Sequence, residues 1–106
     1  MLLITGPLFA GKRECAAKLL GVPVERLADL AVWDVQDLAA AAPDLTALAD
    51  ALAAHPVVIA TEVGGGVVPV DPAQRAAREA AGRLSCLLAE RAETVVRVCC
   101  GIPQLL

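Results

Sequence analysis

The 106-residue sequence predicts an α/β fold in three layers, a small parallel sheet of about four strands with flanking helices. Short apolar runs of strand length alternate with stretches of helix formers. Glycine and proline punctuate the junctions, and no low-complexity linker divides the chain. The resulting order, strand–helix–strand–helix–strand–helix–strand, calls for parallel pairing with right-handed crossovers. The length predicts one domain over 1–106.

The elements follow in order. "MLLIT" is an apolar run stopped by Gly6 and Pro7, a buried parallel strand. "GKRECAAKLLG" supplies good helix formers with a stop at Gly21. "VPVERLADL" reads as a connection with room for a helical turn. "AVWDVQDLA" is ambiguous: Ala31 to Val35 suits a second strand, with a helix beginning after Asp37. Pro43, Asp44 and Leu45 mark the next helix start, and "DLTALADALAAH" places Leu45, Leu48, Ala49 and Leu52 on one face. Val57 to Thr61 is the clearest strand. "EVGGGVVPVDP" is a glycine-rich loop. The longest helix runs from near Asp71 to about Ala92, then "TVVRVCCG" is a strand and "IPQLL" a tail.

Composition narrows the function classes. Hydrophobic residues make up 58%, with one Phe, one Trp and no Tyr, so Ala, Leu and Val must fill the core. Small side chains bury little area each, which favours added packing between subunits of a homo-oligomer. A net charge of −3 and a pI near 5.0 argue against a nucleic-acid partner. The four cysteines, Cys15, Cys86, Cys99 and Cys100, fit no zinc spacing and read as small buried thiols in a reducing cytoplasm. The apolar start is too short for a membrane span and lacks the basic region of a signal peptide, so no membrane partner is expected.

"GPLFAGK", Gly6–Pro7–Leu8–Phe9–Ala10–Gly11–Lys12, fits the pattern G-x-x-x-x-G-K. A strand ends, the backbone curls, and successive N–H groups converge on an anion. Lys12 adds a point charge, and the helix that opens there, through Arg13 and Glu14, adds its positive end. The other reading is an ordinary strand-to-helix turn with a glycine at each end. Arg13 stands where a hydroxyl normally ligates Mg²⁺, and guanidinium carries only donors. Either Mg²⁺ is held by carboxylates and water alone, or Arg13 itself offsets phosphate charge.

The second glycine loop leaves a buried strand at the same edge, where ligands of such sheets bind. Glu62 there can hold a metal's water or take a proton from a hydroxyl, or simply cap backbone N–H groups. Gly64, Gly65 and Gly66 let the chain pass close to a bulky ligand. Arg75 and Arg78 lie about 60° apart around a helix and can share a phosphate, with Arg83 turned away from Arg78 by about 140°. The alternative is a solvated face on which Glu79 pairs with Arg75. Gly82 costs about 1 kcal/mol in a helix, which predicts close packing there.

Together "EVGGGVVP" and the following Arg75, Arg78, Gly82 and Arg83 resemble the adenosylcobinamide kinase/adenosylcobinamide-phosphate guanylyltransferase family. That family carries N-E-V-G-x-G-I-V-P, then R-x-x-R-D-x-x-G-R. The likeness extends over about Leu2 to Leu20 and Val57 to Leu106. It implies a phosphate-loop NTPase-like (RecA-like) fold, ATP or GTP as nucleotide, a corrinoid acceptor and a small homo-oligomer. It implies nucleotide contacts from Gly6 to Glu14, with Lys12 and Glu62 in catalysis. Gly64, Gly65, Gly66, Arg75 and Arg78 would touch substrate or phosphate, and Asp34 and Glu62 would organise Mg²⁺. Most of the family's middle segment is expected to be missing, with "AVWDVQDLA" as a shortened remnant that carries Asp34, and the role of the family's guanylylated His is not carried over to the sole His, His55, just before Pro56. Thr61 and Ser85 replace family Asn residues. Two functions are therefore expected: a kinase acting on adenosylcobinamide, or a nucleotide- or phosphate-binding module that has lost its chemistry and acts as a regulator or partner subunit.

Overall fold

Five strands form one sheet in the order β2-β3-β1-β4-β5 in the computed structural model, which describes residues 1–63 and 71–106. The strands are β1 (Leu2–Gly6), β2 (Ala31–Val32), β3 (Val57–Thr61), β4 (Thr94–Cys99) and β5 (Ile102–Leu105). The helices are α1 (Lys12–Leu20), α2 (Leu45–Leu52) and α3 (Pro72–Arg91), with 3₁₀ turns at Val24–Asp29 and Val35–Leu38. β1 pairs in parallel with β3 on one side and β4 on the other. Its apolar residues are thereby covered at both edges and both faces, the environment that suits an uninterrupted apolar run.

Alternate side chains of the sheet feed two cores. Leu3, Val58 and Ala60 face Ala49 and Leu52 of α2 and Ala81, Leu84 and Leu88 of α3. Ile4, Val57, Ile59, Val96 and Val98 face Cys15 and Ala16 of α1 and Leu27 of the first 3₁₀ turn. Local signals set the helix starts. Asp44 Oδ1 accepts the N–H groups of Thr46 and Ala47 at 3.0 and 3.3 Å. Asp71 Oδ1 accepts that of Ala73 at 2.9 Å, with Pro72 at the first helical position.

Several expectations need correction. The sheet has five strands, and it is not wholly parallel, because the "tail" Ile102–Leu105 returns antiparallel to β4. Cys100 and Gly101, both at positive φ (52° and 75°), make the tight turn that permits this. Pro103 is tolerated because β5 is an edge. The predicted strand Ala31–Val35 shrinks to two residues, and the helix after Asp37 is instead the 3₁₀ turn Val35–Leu38. Of the cysteines only Cys15 is buried; Cys86, Cys99 and Cys100 are exposed, on the outer side of α3, at a strand end and in a turn. Gly82 is exposed, and a Cβ there would meet nothing within 4 Å, so no close packing explains it. No helix among the described residues is long and apolar enough to cross a membrane.

Gly6 is the contrasting glycine. A Cβ there would fall 2.1 Å from the backbone oxygen of Val98. Gly6→Ala is expected to destabilise the fold by about 3 kcal/mol or more, since neither strand can yield. Gly82→Ala is expected to stabilise it by about 1 kcal/mol. Denaturant unfolding of both variants checks the opposite signs.

Candidate functional site

The loop between β1 and α1 sits at the carboxyl edge of the sheet, on its central strand. Three contacts hold it. The Glu62 N–H donates to Gly6 O at 2.8 Å, tying the ends of β1 and β3 together. The Gly101 N–H donates to Ala10 O at 2.8 Å, so the β4–β5 turn props the loop from the other side. Lys12 Nζ donates to Pro7 O at 2.6 Å across the loop itself. Phe9 and Gly11 take positive φ (59° and 85°) with Ala10 between them at negative φ. Such alternation turns successive N–H groups toward one side, a concavity suited to an anion. Phe9 pays for this backbone without packing in return, for its side chain is 94% exposed.

A cavity of about 470 Å³ opens over the loop, lined by residues 8–14 with Trp33, Asp34, Ile59 and Thr61. Lys12, only 8% exposed, forms its charged floor. Burial pushes the Lys12 ammonium below the ordinary lysine range, and the nearby Asp34 and Glu62 carboxylates partly oppose this. Arg13 places its guanidinium carbon 5.4 Å from the ring centre of Trp33, a cation–π contact at the cavity wall. Asp34, expected at a strand end, lies two residues past β2 in the left-handed region (φ 57°). Its side chain caps no helix, and it lines the cavity. Gln36 Oε1 accepts the Thr61 N–H at 2.9 Å, fixing the end of β3 beside it.

Glu62 is differently employed from the expectation. Arg97 of β4 grips it in a two-pronged pair, Nε to Oε1 at 2.6 Å and Nη2 to Oε2 at 2.9 Å. The hydrogen bonds from Arg97 hold the Glu62 carboxyl below the usual range, against a smaller opposing effect of desolvation. Gly64, Gly65 and Gly66 lie outside the described residues. Arg75 and Arg78 occupy the first two turns of α3 and are not among the described residues lining the cavity. Arg83 lines a different hollow, between α3 and the start of α2. His55 precedes β3, at the amino edge where Pro56 O accepts the Leu2 N–H. A five-residue strand separates that edge from Thr61, on the order of 15 Å.

The sequence reading missed Trp33, Gln36, Arg97 and Gly101. Trp33 alone carried a signal, as the sole Trp next to a candidate acidic residue.

These residues offer few donors to a protein-held Mg²⁺. Arg13 offers no lone pair, and Glu62 has both oxygens on Arg97. Among the described residues no three His, Cys, Asp or Glu side chains converge on a metal position. Glu14 and Asp34 are the carboxylates left on the cavity wall, so these residues build no protein cage for a resident Mg²⁺, and the hydroxyl that would ligate it beside the phosphates is replaced by Arg13.

A profile of the family described as cobinamide kinase / cobinamide phosphate guanyltransferase matches residues 25–106. The chain belongs to that family. The match takes in residues 25–56, most of which the residue motifs left unmarked, and starts beyond the Gly6–Lys12 loop. The reading of that loop therefore stands on its own residues. No match was found among curated proteins.

The Glu62–Arg97 pair has a defined pH signature. Its folded-state carboxyl is depressed, so its stabilisation is present above the ordinary glutamate value and is lost as pH falls below about 4.3. Glu62→Gln is expected to lower the thermal midpoint at neutral pH, with the difference from the parent chain closing in acid. Melting curves between about pH 7 and pH 3 check this.

Proposed function

We propose that this chain binds the triphosphate of ATP or GTP on Gly6 to Glu14 and transfers the γ-phosphoryl to a hydroxyl of cobinamide. The single observation that carries the reading is Lys12, held nearly buried beneath a curled loop at the floor of a cavity, in a chain of the cobinamide kinase family. The loop N–H groups and the start of α1 would take the phosphate oxygens. Lys12 would exchange its bond to Pro7 O for the β- and γ-phosphates and offset charge during transfer. Asp34, on the cavity wall, would accept the proton of the attacking hydroxyl. A bond forms from that oxygen to the γ-phosphorus, the bond to the bridging oxygen breaks, and the nucleoside diphosphate departs. His55 stands at the far edge, which speaks against a guanylyl-enzyme step from this site. Exposed Ile102, Leu105 and Leu106 near the exposed edge suit contact between copies, and a cytoplasmic homo-oligomer belongs to the same reading.

Two observations favour a second reading, a phosphate-binding module without turnover: Arg13 in the metal ligand's place, and Glu62 neutralised by Arg97. Incubation of the chain with cobinamide and γ-labelled ATP or GTP separates them. Label is expected to pass to cobinamide, to fall by about 100-fold or more in Lys12→Ala, and to be unchanged in His55→Ala. Nucleotide binding with no labelled cobinamide would establish the module instead.

Affinity carries a sign as well. A polyanion favours the charged form of Lys12, whose pKa in the free chain is lowered by burial. Nucleotide affinity is therefore expected to weaken as pH rises through that lowered value, before an ordinary lysine near 10.4 would titrate. Titration calorimetry across the alkaline range checks it.

A further inference from the structure

The substitution at position 13 bears on what form of nucleotide the cavity takes. In a loop of this type the residue after the lysine usually supplies a hydroxyl to Mg²⁺, and the metal cancels two of the negative charges of the triphosphate. Here that position holds Arg13, a permanent cation with a planar fork of donors suited to phosphate oxygens. It lines the same cavity as Lys12, and Trp33 holds it at the wall. A guanidinium resting on a ring face loses little when it turns to an anion, because cation–π contacts at half-exposed sites are weak beside charge-assisted hydrogen bonds. The carboxylates present do not replace the missing ligand. Glu62 is spent on Arg97, and Glu14 and Asp34 line the wall without a third acidic partner among the described residues.

We propose that the Gly6–Arg13 loop binds the metal-free triphosphate, with Arg13 as the built-in counter-charge in place of Mg²⁺. This rests on the nucleotide-binding reading above and deepens it. Metal and guanidinium would compete for the same β- and γ-oxygens, so added Mg²⁺ should give no gain in affinity. Two features make the idea measurable. Trp33 is the sole Trp and the chain has no Tyr, so intrinsic emission reports on the ring that Arg13 covers. Arg13 is also exposed, so its replacement should leave the fold intact.

The experiment titrates the intact chain with ATP and GTP while following Trp33 emission and, in parallel, calorimetric heat. One arm contains EDTA and the other excess Mg²⁺. The expected result is equal or tighter binding in EDTA, with a change in Trp33 emission on saturation. Arg13→Ala should lose about ten-fold or more in affinity in EDTA, the worth of a charge-assisted contact. Arg13→Ser, which restores the hydroxyl, should bind better with Mg²⁺ than without. Binding by the parent chain only when Mg²⁺ is present would overturn the proposal and leave the nucleotide reading standing. Absence of binding in both arms would overturn both.

Discussion

Strand β1 lies hydrogen-bonded between β3 and β4, and the geometry of the whole carboxyl edge depends on how closely it approaches β4. At Gly6 the two backbones come so near that a single methyl group would overlap the Val98 carbonyl oxygen. That contact sets where the chain leaves the sheet. From there the loop must curl over the end of β1 before α1 can begin, and two residues at positive φ complete the curl. The neighbouring strands then steady it, β3 through the Glu62 N–H and the β4–β5 turn through the Gly101 N–H. The cavity is thus walled by segments from different parts of the sequence, each delivered by a strand end.

Charge at this edge is arranged in layers. Lys12 is buried and feels two carboxylates, whereas Arg97 is outside and takes one of those carboxylates for itself. The consequence is a cationic floor beside two carboxylates, one of which, Glu62, is already paired with Arg97. Arg13 extends the positive side along the wall to Trp33. The balance suits an anion, and the polyphosphate of the nucleotide proposed above would meet it there. Asp34 and Glu14 are the carboxylates that line the wall, Asp34 on the segment after β2 and Glu14 in the first turn of α1.

Much of the fold was legible residue by residue. Val57–Thr61 is β-branched at four of five positions and apolar up to its last residue, the pattern of a strand buried on both faces, and all five residues are buried. Asp44 and Asp71 announced their helices because an N-cap is a local bond between a side chain and N–H groups two or three residues on. Ile102–Leu105 was illegible because a short segment with Pro103 has no strand signal of its own; it becomes a strand only by pairing with β4. Val35 misled for the opposite reason. It is apolar and fully buried, yet belongs to a 3₁₀ turn, since burial alone does not specify backbone conformation.

What the sequence determined by itself was the loop: two glycines, a lysine and an arginine at fixed spacing between an apolar strand and a helix, because their chemistry is contiguous in the chain. It equally determined the helix starts and the central strands, through bonds and burial patterns that repeat within a few residues. Only the tertiary structure decided that Arg97 would claim Glu62, 35 positions away, that Trp33 would back Arg13, and that Gly101 would brace Ala10. Those pairings depend on strand order and register, which bring β2, β4 and the β4–β5 turn to one edge. Order and register are settled by packing two cores at once, a condition that no local stretch of residues carries.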